Sequence, residues 1–211
     1  MTKNAGRKIP LDVQLHGHLV DLKPTGESDY PALQKILSDP KTMNQLQYMA
    51  HLEEGGWTLE QVRERYEKWA EGQKAQTNLN FTIHVKTTDE VGGTCGFKHI
   101  DLLHRKAEYG IILYHPFWNA GVSLECALLC LDYAFTDLQL HRITFETLTT
   151  NKRAEAFLKK LGTHLECTQK ESFFENGKFQ DNGIYVLFEK DWPGVKQKLQ
   201  EKLGRQRTRV K

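Results

Sequence analysis

Three runs of period-two hydrophobicity, followed by one apolar helix, constrain this chain more than any other feature. "NFTIHVKT" (Asn80 to Thr87) alternates Phe81, Ile83 and Val85 with Thr82, His84 and Lys86, the pattern of a half-buried strand. "DEVGG" turns the chain into "TCGFKHIDLL", and Asp101 to Lys106 join that run to "AEYGIILYH" as a hairpin. The chain then enters a short segment around Asn119, Ala120 and Gly121 and an Ala- and Leu-rich helix from Val122 to Phe135. "HRITFETLT" (His141 to Thr149) is the next strand, with Ile143, Phe145 and Thr147 on one face. A meander that feeds one crossover helix implies a mixed sheet with helices on its faces, an α+β fold.

The flanking elements fit that frame. "HLVDL" (His18 to Leu22) reads as a strand ending at Pro24. Ser28 or Asp29 caps a helix whose apolar face is Leu33, Ile36 and Leu37, and Pro40 ends or kinks it. Thr58 with Gln61 three residues on is a capping box, opening a helix with Leu59, Val62, Tyr66 and Trp69 as its buried stripe. Asn151 starts "NKRAEAFLKKLG", and Gly162 ends it. "LECTQKESFF" and "DNGIYVLFEK" close as a hairpin around Asn176-Gly177.

At 211 residues the chain suits one domain, or one domain with tails. It is 39% hydrophobic and 27% charged, an ordinary soluble composition. No apolar run approaches the ~20 residues that cross a bilayer, and the first residues lack the apolar core of a secretory signal. Cys95, Cys126, Cys130 and Cys167 form no C-x-x-C, and no metal-ligand set surrounds them. They read as buried thiols in a reducing, cytoplasmic setting. The net charge of +2 is uneven: Val195 to Lys211 holds seven Lys/Arg against one acid, Glu201. That segment is either a solvated terminus or an arm for an acidic partner such as RNA or a ribosome. Val195, Leu199 and Leu203 make its first part an amphipathic helix.

The turn at "NAGVS" has two readings. The first turn of a helix presents unpaired N–H groups and a positive dipole end, which suits a phosphate where side chains are small. Ala120, Gly121 and Ser123 are small. Neither G-x-G-x-x-G nor G-K-[ST] is present, so taken alone the segment reads as an ordinary strand-to-helix turn.

The surrounding sequence resembles the GNAT acetyltransferase superfamily in its RimJ/RimL-like branch. In "AEYGIILYHPFWNAGVSLEC", Glu108, Gly110, Leu113, Pro116, Trp118, Gly121 and Glu125 fall on the branch pattern; downstream, so do Phe135, Leu140, His141, Arg142, Ile143, Asn151, Leu161 and Gly162. The likeness covers about residues 17–193, with 1–16 as an N-terminal extension and 194–211 as a basic C-terminal tail. It implies a mostly antiparallel twisted sheet in which "EYGIILY" splays from "HRITFET" to make an acyl-CoA cleft. It further implies acetyl-CoA as cofactor, an amine acceptor (a protein N-terminus, peptide or small molecule), a monomer or homodimer, and no metal. The pantetheine arm would pair along Ile111, Ile112 and Leu113. Trp118 and the N–H groups of Asn119, Ala120, Gly121, Val122 and Ser123 would hold the pyrophosphate. Asn151 would contact the cofactor, cap the following helix, or both.

An arriving ammonium must lose a proton before it attacks a thioester. Glu108 is the first candidate base, with pairing to Lys98, Arg105 or Arg142 as its structural alternative; His99 and His115 are lesser candidates. Asp181 and Tyr185 lie on the terminal hairpin toward the acceptor, whose loops would be "QLQYMAHLEEGGW" and "ESFFENGKFQD". The chain departs from the family at Leu158, where a proton-donating Tyr is common, and at Ala154, where the branch has Ser. Thr163 replaces a Phe, and Asn119 a Gly. Tyr114, Tyr185 or water would then protonate the leaving thiolate. The alternative is a catalytically weak acyl-CoA binder whose basic tail docks on RNA or a protein.

Overall fold

The computed structural model describes residues 8–43, 56–118, 121–175 and 177–209. Its centre is an eight-stranded sheet in the order β1-β2-β3-β4-β5-β6-β8-β7. The strands are β1 (Leu15–His16), β2 (Val20–Pro24), β3 (Leu79–Val85), β4 (Glu90–Asp101), β5 (Lys106–Leu113), β6 (Arg142–Leu148), β7 (His164–Glu175) and β8 (Lys178–Phe188). Every neighbouring pair is antiparallel except β5 and β6, where the helix Val122–Asp132 carries the chain over the sheet so that β6 runs in the direction of β5. The mixed, mostly antiparallel sheet expected from the period-two runs is therefore observed.

Helices cover both faces. On one side lie α1 (Tyr30–Leu37), the short α2 (Pro40–Met43) and α3 (Leu59–Lys74). Leu33, Ile36, Leu37, Val62 and Tyr66 pack there with Ile112 of β5. The Thr58–Gln61 capping box opens α3 as expected: Gln61 N–H donates to Thr58 Oγ1, and Thr58 N–H to Gln61 Oε1. Leu59, expected in the buried stripe, is instead 42% exposed, since it sits in the first turn, before the helix reaches the sheet. On the other face lie α4 (Val122–Asp132), continued by a π-turn over Tyr133–Asp137, then α5 (Lys152–Leu161) and α6 (Trp192–Arg209). Cys95, Cys126 and Cys130 are buried between β4 and α4, with Cys95 Sγ 3.8 Å from Cys130 Sγ, while Cys167 is exposed.

Both ends of the described chain pack onto the domain, and the amphipathic helix expected from Val195, Leu199 and Leu203 is observed as α6. Leu199 and Leu203 of α6 are buried, and Trp192 Nε1 and Lys196 Nζ both donate to Asp132 of α4. The 194–211 segment is thus a packed helix through Leu203 and not a detached tail, because its i,i+4 leucines find the apolar side of α4. Before residue 17, Ile9 is buried, and Gln73 and Gln76 hold the backbone of residues 9–11. Among the described residues no helix is long and apolar enough to cross a membrane.

Candidate active site

The sheet opens at one place. β5 and β6 pair in parallel only through Lys106 with Arg142, Ala107 with Ile143 and Glu108 with Thr144. Beyond Glu108, β5 stays with β4 as far as Leu113, while β6 stays with β8 as far as Leu148. A wedge of aromatic rings fills the vertex: Tyr109 meets Phe97 at 5.6 Å and Phe145 at 5.7 Å, both edge-on. The parting leaves the β6-facing edge of β5 without a ladder partner from Tyr109 onward, and such groups call for another hydrogen-bonding guest.

A cavity of about 330 Å³ occupies the split. Gly110, Ile111 and Ile112 line it from β5, Phe145, Glu146 and Thr147 from β6, and Asn151, Ala154, Phe157 and Leu158 from the α5 side. Arg65 and Trp69 of α3 close it from the opposite layer. A Cβ built at Gly110 would meet nothing within 4 Å, so this residue keeps the floor open. On β4, Gly93 has φ +137°, and a Cβ there would stand 2.0 Å from the Ile112 carbonyl oxygen; only glycine lets the two strands approach so closely beside the cavity.

Two carboxylates face the cavity. Glu108 is 7% exposed, and its Oε1 lies 2.7 Å from Lys98 Nζ, one of the ion pairs foreseen for it. Burial raises its pKa above the ordinary 4.5, Lys98 pulls it back, and Glu146 pushes it up again. Glu146, half-buried on β6, accepts a hydrogen bond from Asn182 Nδ2 at 3.3 Å. Sequence reasoning passed over Glu146. Its only signal was a charged residue alternating with Phe145 on a strand otherwise read by its apolar face.

The other expected site residues divide. Asn151 lines the cavity and also caps α5, its Oδ1 accepting from Ala154 N–H at 3.0 Å. Gly121 is the N-cap of α4 in the left-handed conformation, φ +80°, and it has no side chain to occupy the first-turn N–H groups. Val122 is buried and Ser123 half-buried. Asn119 and Ala120 lie outside the described residues, as does the loop "QLQYMAHLEEG". Trp118 donates from Nε1 to the Leu113 carbonyl at 2.9 Å, and the Arg153 guanidinium stacks on its ring at 3.9 Å. The indole therefore ties the end of β5 to the start of α5 across the mouth of the split.

Leu113, Trp118, Gly121, Val122 and Ser123 stand outside the cavity lining, and so do the remaining expected catalytic and acceptor residues. Tyr114 packs on Phe117 with the Lys35 ammonium 5.7 Å over its ring, because β5 has ended and the chain has turned away. His99 is exposed at a bulge of β4 with φ +53°. Tyr185 is buried beneath α5, its hydroxyl 3.5 Å from Glu155 Oε1, and burial raises its pKa. Asp181 is held by Lys170 at 2.8 Å and by the Glu171 N–H at 2.9 Å; its carboxylate stabilises the irregular stretch of β7 between Gln169 and Phe173. His115 is likewise paired elsewhere, with Asp39 at 2.9 Å. Leu158 and Ala154 do line the cavity, so the α5 wall carries no hydroxyl at those two positions. Among the described residues no cluster of His, Cys, Asp and Glu could hold a metal ion.

Comparison with known proteins bears on this geometry. The acetyltransferase (GNAT) domain family matches residues 20–164. The uncharacterized N-acetyltransferase p20 of Bacillus licheniformis is 33% identical over 114 residues, covering 54% of this chain and 64% of that protein. Spermidine N(1)-acetyltransferase of Escherichia coli is 29% identical over 105 residues, covering 50% of this chain and 56% of that one. The chain thus aligns with somewhat under two thirds of the length of these relatives. The structure of spermidine N-acetyltransferase from Vibrio cholerae, solved with CoA and spermine, superposes with a TM-score of 0.69 at 22% identity, over 82% of this chain and 96% of that one; at that identity the likeness is one of fold. With the split sheet, the helix entered through Gly121 and the family match over most of the chain, this protein belongs to the GNAT acetyltransferase family.

Proposed function

We propose that the chain is an acetyl-CoA-dependent N-acetyltransferase whose acceptor is a primary amine. The observation that carries this reading is the parting of β5 from β6 directly after the buried Glu108, with a cavity in the gap. The residues fit the cofactor. The free edge of β5 around Ile111 to Leu113 suits an amide-bearing arm, the α4 start at Gly121 to Ser123 suits a pyrophosphate, and Asn151 reaches the same cavity. When bound, acetyl-CoA supplies an activated thioester.

The protein's own part is positioning and proton handling. Glu108 and Glu146 share a face of the sheet, since Glu108 pairs with Thr144 and Glu146 lies two residues beyond it on β6. Together they draw an ammonium into the cavity, and Glu108, its pKa raised by burial, takes the proton as the amine becomes nucleophilic. Lys98 keeps Glu108 ionised when the cavity is otherwise dry. Backbone N–H groups of β5 that have no partner on β6 are placed to stabilise negative charge on the reacting carbonyl.

One observation favours a second reading. Leu158 and Ala154 leave the α5 wall without a proton donor, as a catalytically weak acyl-CoA binder would. Exposed Lys198, Lys202 and Arg205 on α6 would then serve an acidic partner. The two readings separate when the protein is incubated with acetyl-CoA and a panel of amines and short peptides, and the products are weighed. Gain of one acetyl group on an amine supports transfer; a panel left unmodified while CoA binds leaves the binder.

A further inference from the structure

Arg65 is a cation of the cavity that no carboxylate pairs with among the described residues. It lies on α3, is half-buried, and lines the same cavity as Glu108 and Glu146. Arg63 pairs with Glu60, Arg105 with Glu189 and Arg142 with Glu166, whereas Arg153 stacks on Trp118. Arg65 has no carboxylate within 4 Å among the described residues, and its Nε is buried without a hydrogen-bond partner. The guanidinium stands 5.6 Å over the Trp57 ring and 5.9 Å over the Tyr66 ring, with the Tyr66 hydroxyl as a polar neighbour.

The wall behind it has the same character. Trp57 Nε1 is also buried with no hydrogen-bond partner among the described residues. Tyr66 packs on Ile112, which lines the cavity. A guanidinium and an indole N–H can only donate, and buried donors left unmade cost free energy. A site rich in donors with one fixed cation is the chemistry that recognises an anionic oxygen group. The cavity is therefore bipolar, with carboxylates at the strand split and a clamped arginine at the α3 side.

We propose that Arg65 anchors the acceptor: the amine substrate also carries an anionic oxygen group, a carboxylate or a phosphate, which the Arg65 guanidinium binds while its amine lies toward Glu108 and Glu146. This rests on the amine-acceptor reading above and narrows it to bifunctional acceptors. A second ammonium placed beside Arg65 is repelled, so a polyamine is a poor fit.

The test compares acceptors that differ at that group alone. Wild-type protein with acetyl-CoA is given an amino acid, its carboxamide, an aminoalkyl phosphate of similar length, and spermidine. The anionic acceptors should exceed the carboxamide in kcat/KM by about 10- to 100-fold, the worth of a charge-assisted bond, and whichever anion leads names the source. Arg65→Met should erase that difference and leave CoA affinity unchanged; Arg65→Lys, which keeps charge but not the fork, should fall between. Equal or better use of the carboxamide or spermidine, or an Arg65→Met variant that lowers all acceptors alike, overturns the proposal. Calorimetry of the N-acetylated acid and its amide on CoA-loaded protein needs no turnover. Preference for the acid that is lost in Arg65→Met sustains the anchor even if no amine is acetylated, and absence of preference removes it even if transfer occurs.

Discussion

The Glu108 carboxylate lies 2.7 Å from the Lys98 ammonium, and burial still raises its pKa above the ordinary value. Desolvation outweighs the ion pair, which is the condition a carboxylate needs to act as a base near neutral pH. Lys98→Met removes the opposing charge, so the acid limb of the pH–rate profile for kcat/KM should move to higher pH. An unmoved limb would assign that ionisation to another group.

The same shift has a stability sign. The folded protein holds the Glu108 proton to higher pH than the unfolded chain, so the contribution of this group is fully present below 4.5 and is lost as pH rises through the raised value. Glu108→Gln lacks this loss. Its urea midpoint relative to wild type should therefore improve as pH rises from acid to neutral, read from denaturation curves at several pH values.

Asn151 caps α5, and substitution can part that cap from the cofactor contact proposed for it. Asn151→Ala removes the cap on α5 and should cost about 1 kcal/mol of stability as well as weaken CoA binding. Asn151→Ser restores the cap without the amide. It should recover the stability by thermal melting and leave the CoA affinity low by calorimetry.

Gly121 enters α4 at φ +80°. Gly121→Ala should cost about 1–2 kcal/mol from left-handed strain alone, with CoA binding largely kept. Gly121→Trp should abolish CoA binding by crowding the first-turn N–H groups. Equal CoA affinity in both would take the pyrophosphate away from this turn.

Glu125 is 2% exposed and accepts from the Leu19 and Val20 N–H groups at 2.6 and 3.0 Å, fastening α4 to the β2 edge. Glu125→Ala leaves those donors buried and should destabilise the fold by about 3 kcal/mol, measured by urea denaturation. Its place on the family pattern is thus explained by architecture rather than by chemistry.

Much of this was legible in the chain because local patterns agreed with the fold. The alternation of Phe81, Ile83 and Val85 gave β3, the Thr58–Gln61 box gave the start of α3, and Glu108 was singled out with Lys98 among its partners. Tertiary relationships were not legible. Arg63, Arg65 and Lys68 look alike on a polar helix, and only packing turns Arg65 inward onto Trp57 and Tyr66. Glu146 hid in a strand read by its apolar face. Tyr114 was expected to reach the thioester, but the turn after Leu113 carries its ring away. The leucines after 193 announced an amphipathic helix, but not that α4 is the surface that buries it.

The account stands most directly on release of CoA thiol by the wild-type protein and by the Glu108→Gln/Glu146→Gln double variant, with and without an amine. Wild type should release thiol only when an amine is present, at a rate that falls as pH drops. The double variant should bind CoA normally and be slower by about 100-fold or more. CoA binding without amine-dependent release in wild type, or a double variant that turns over like wild type, would contradict it.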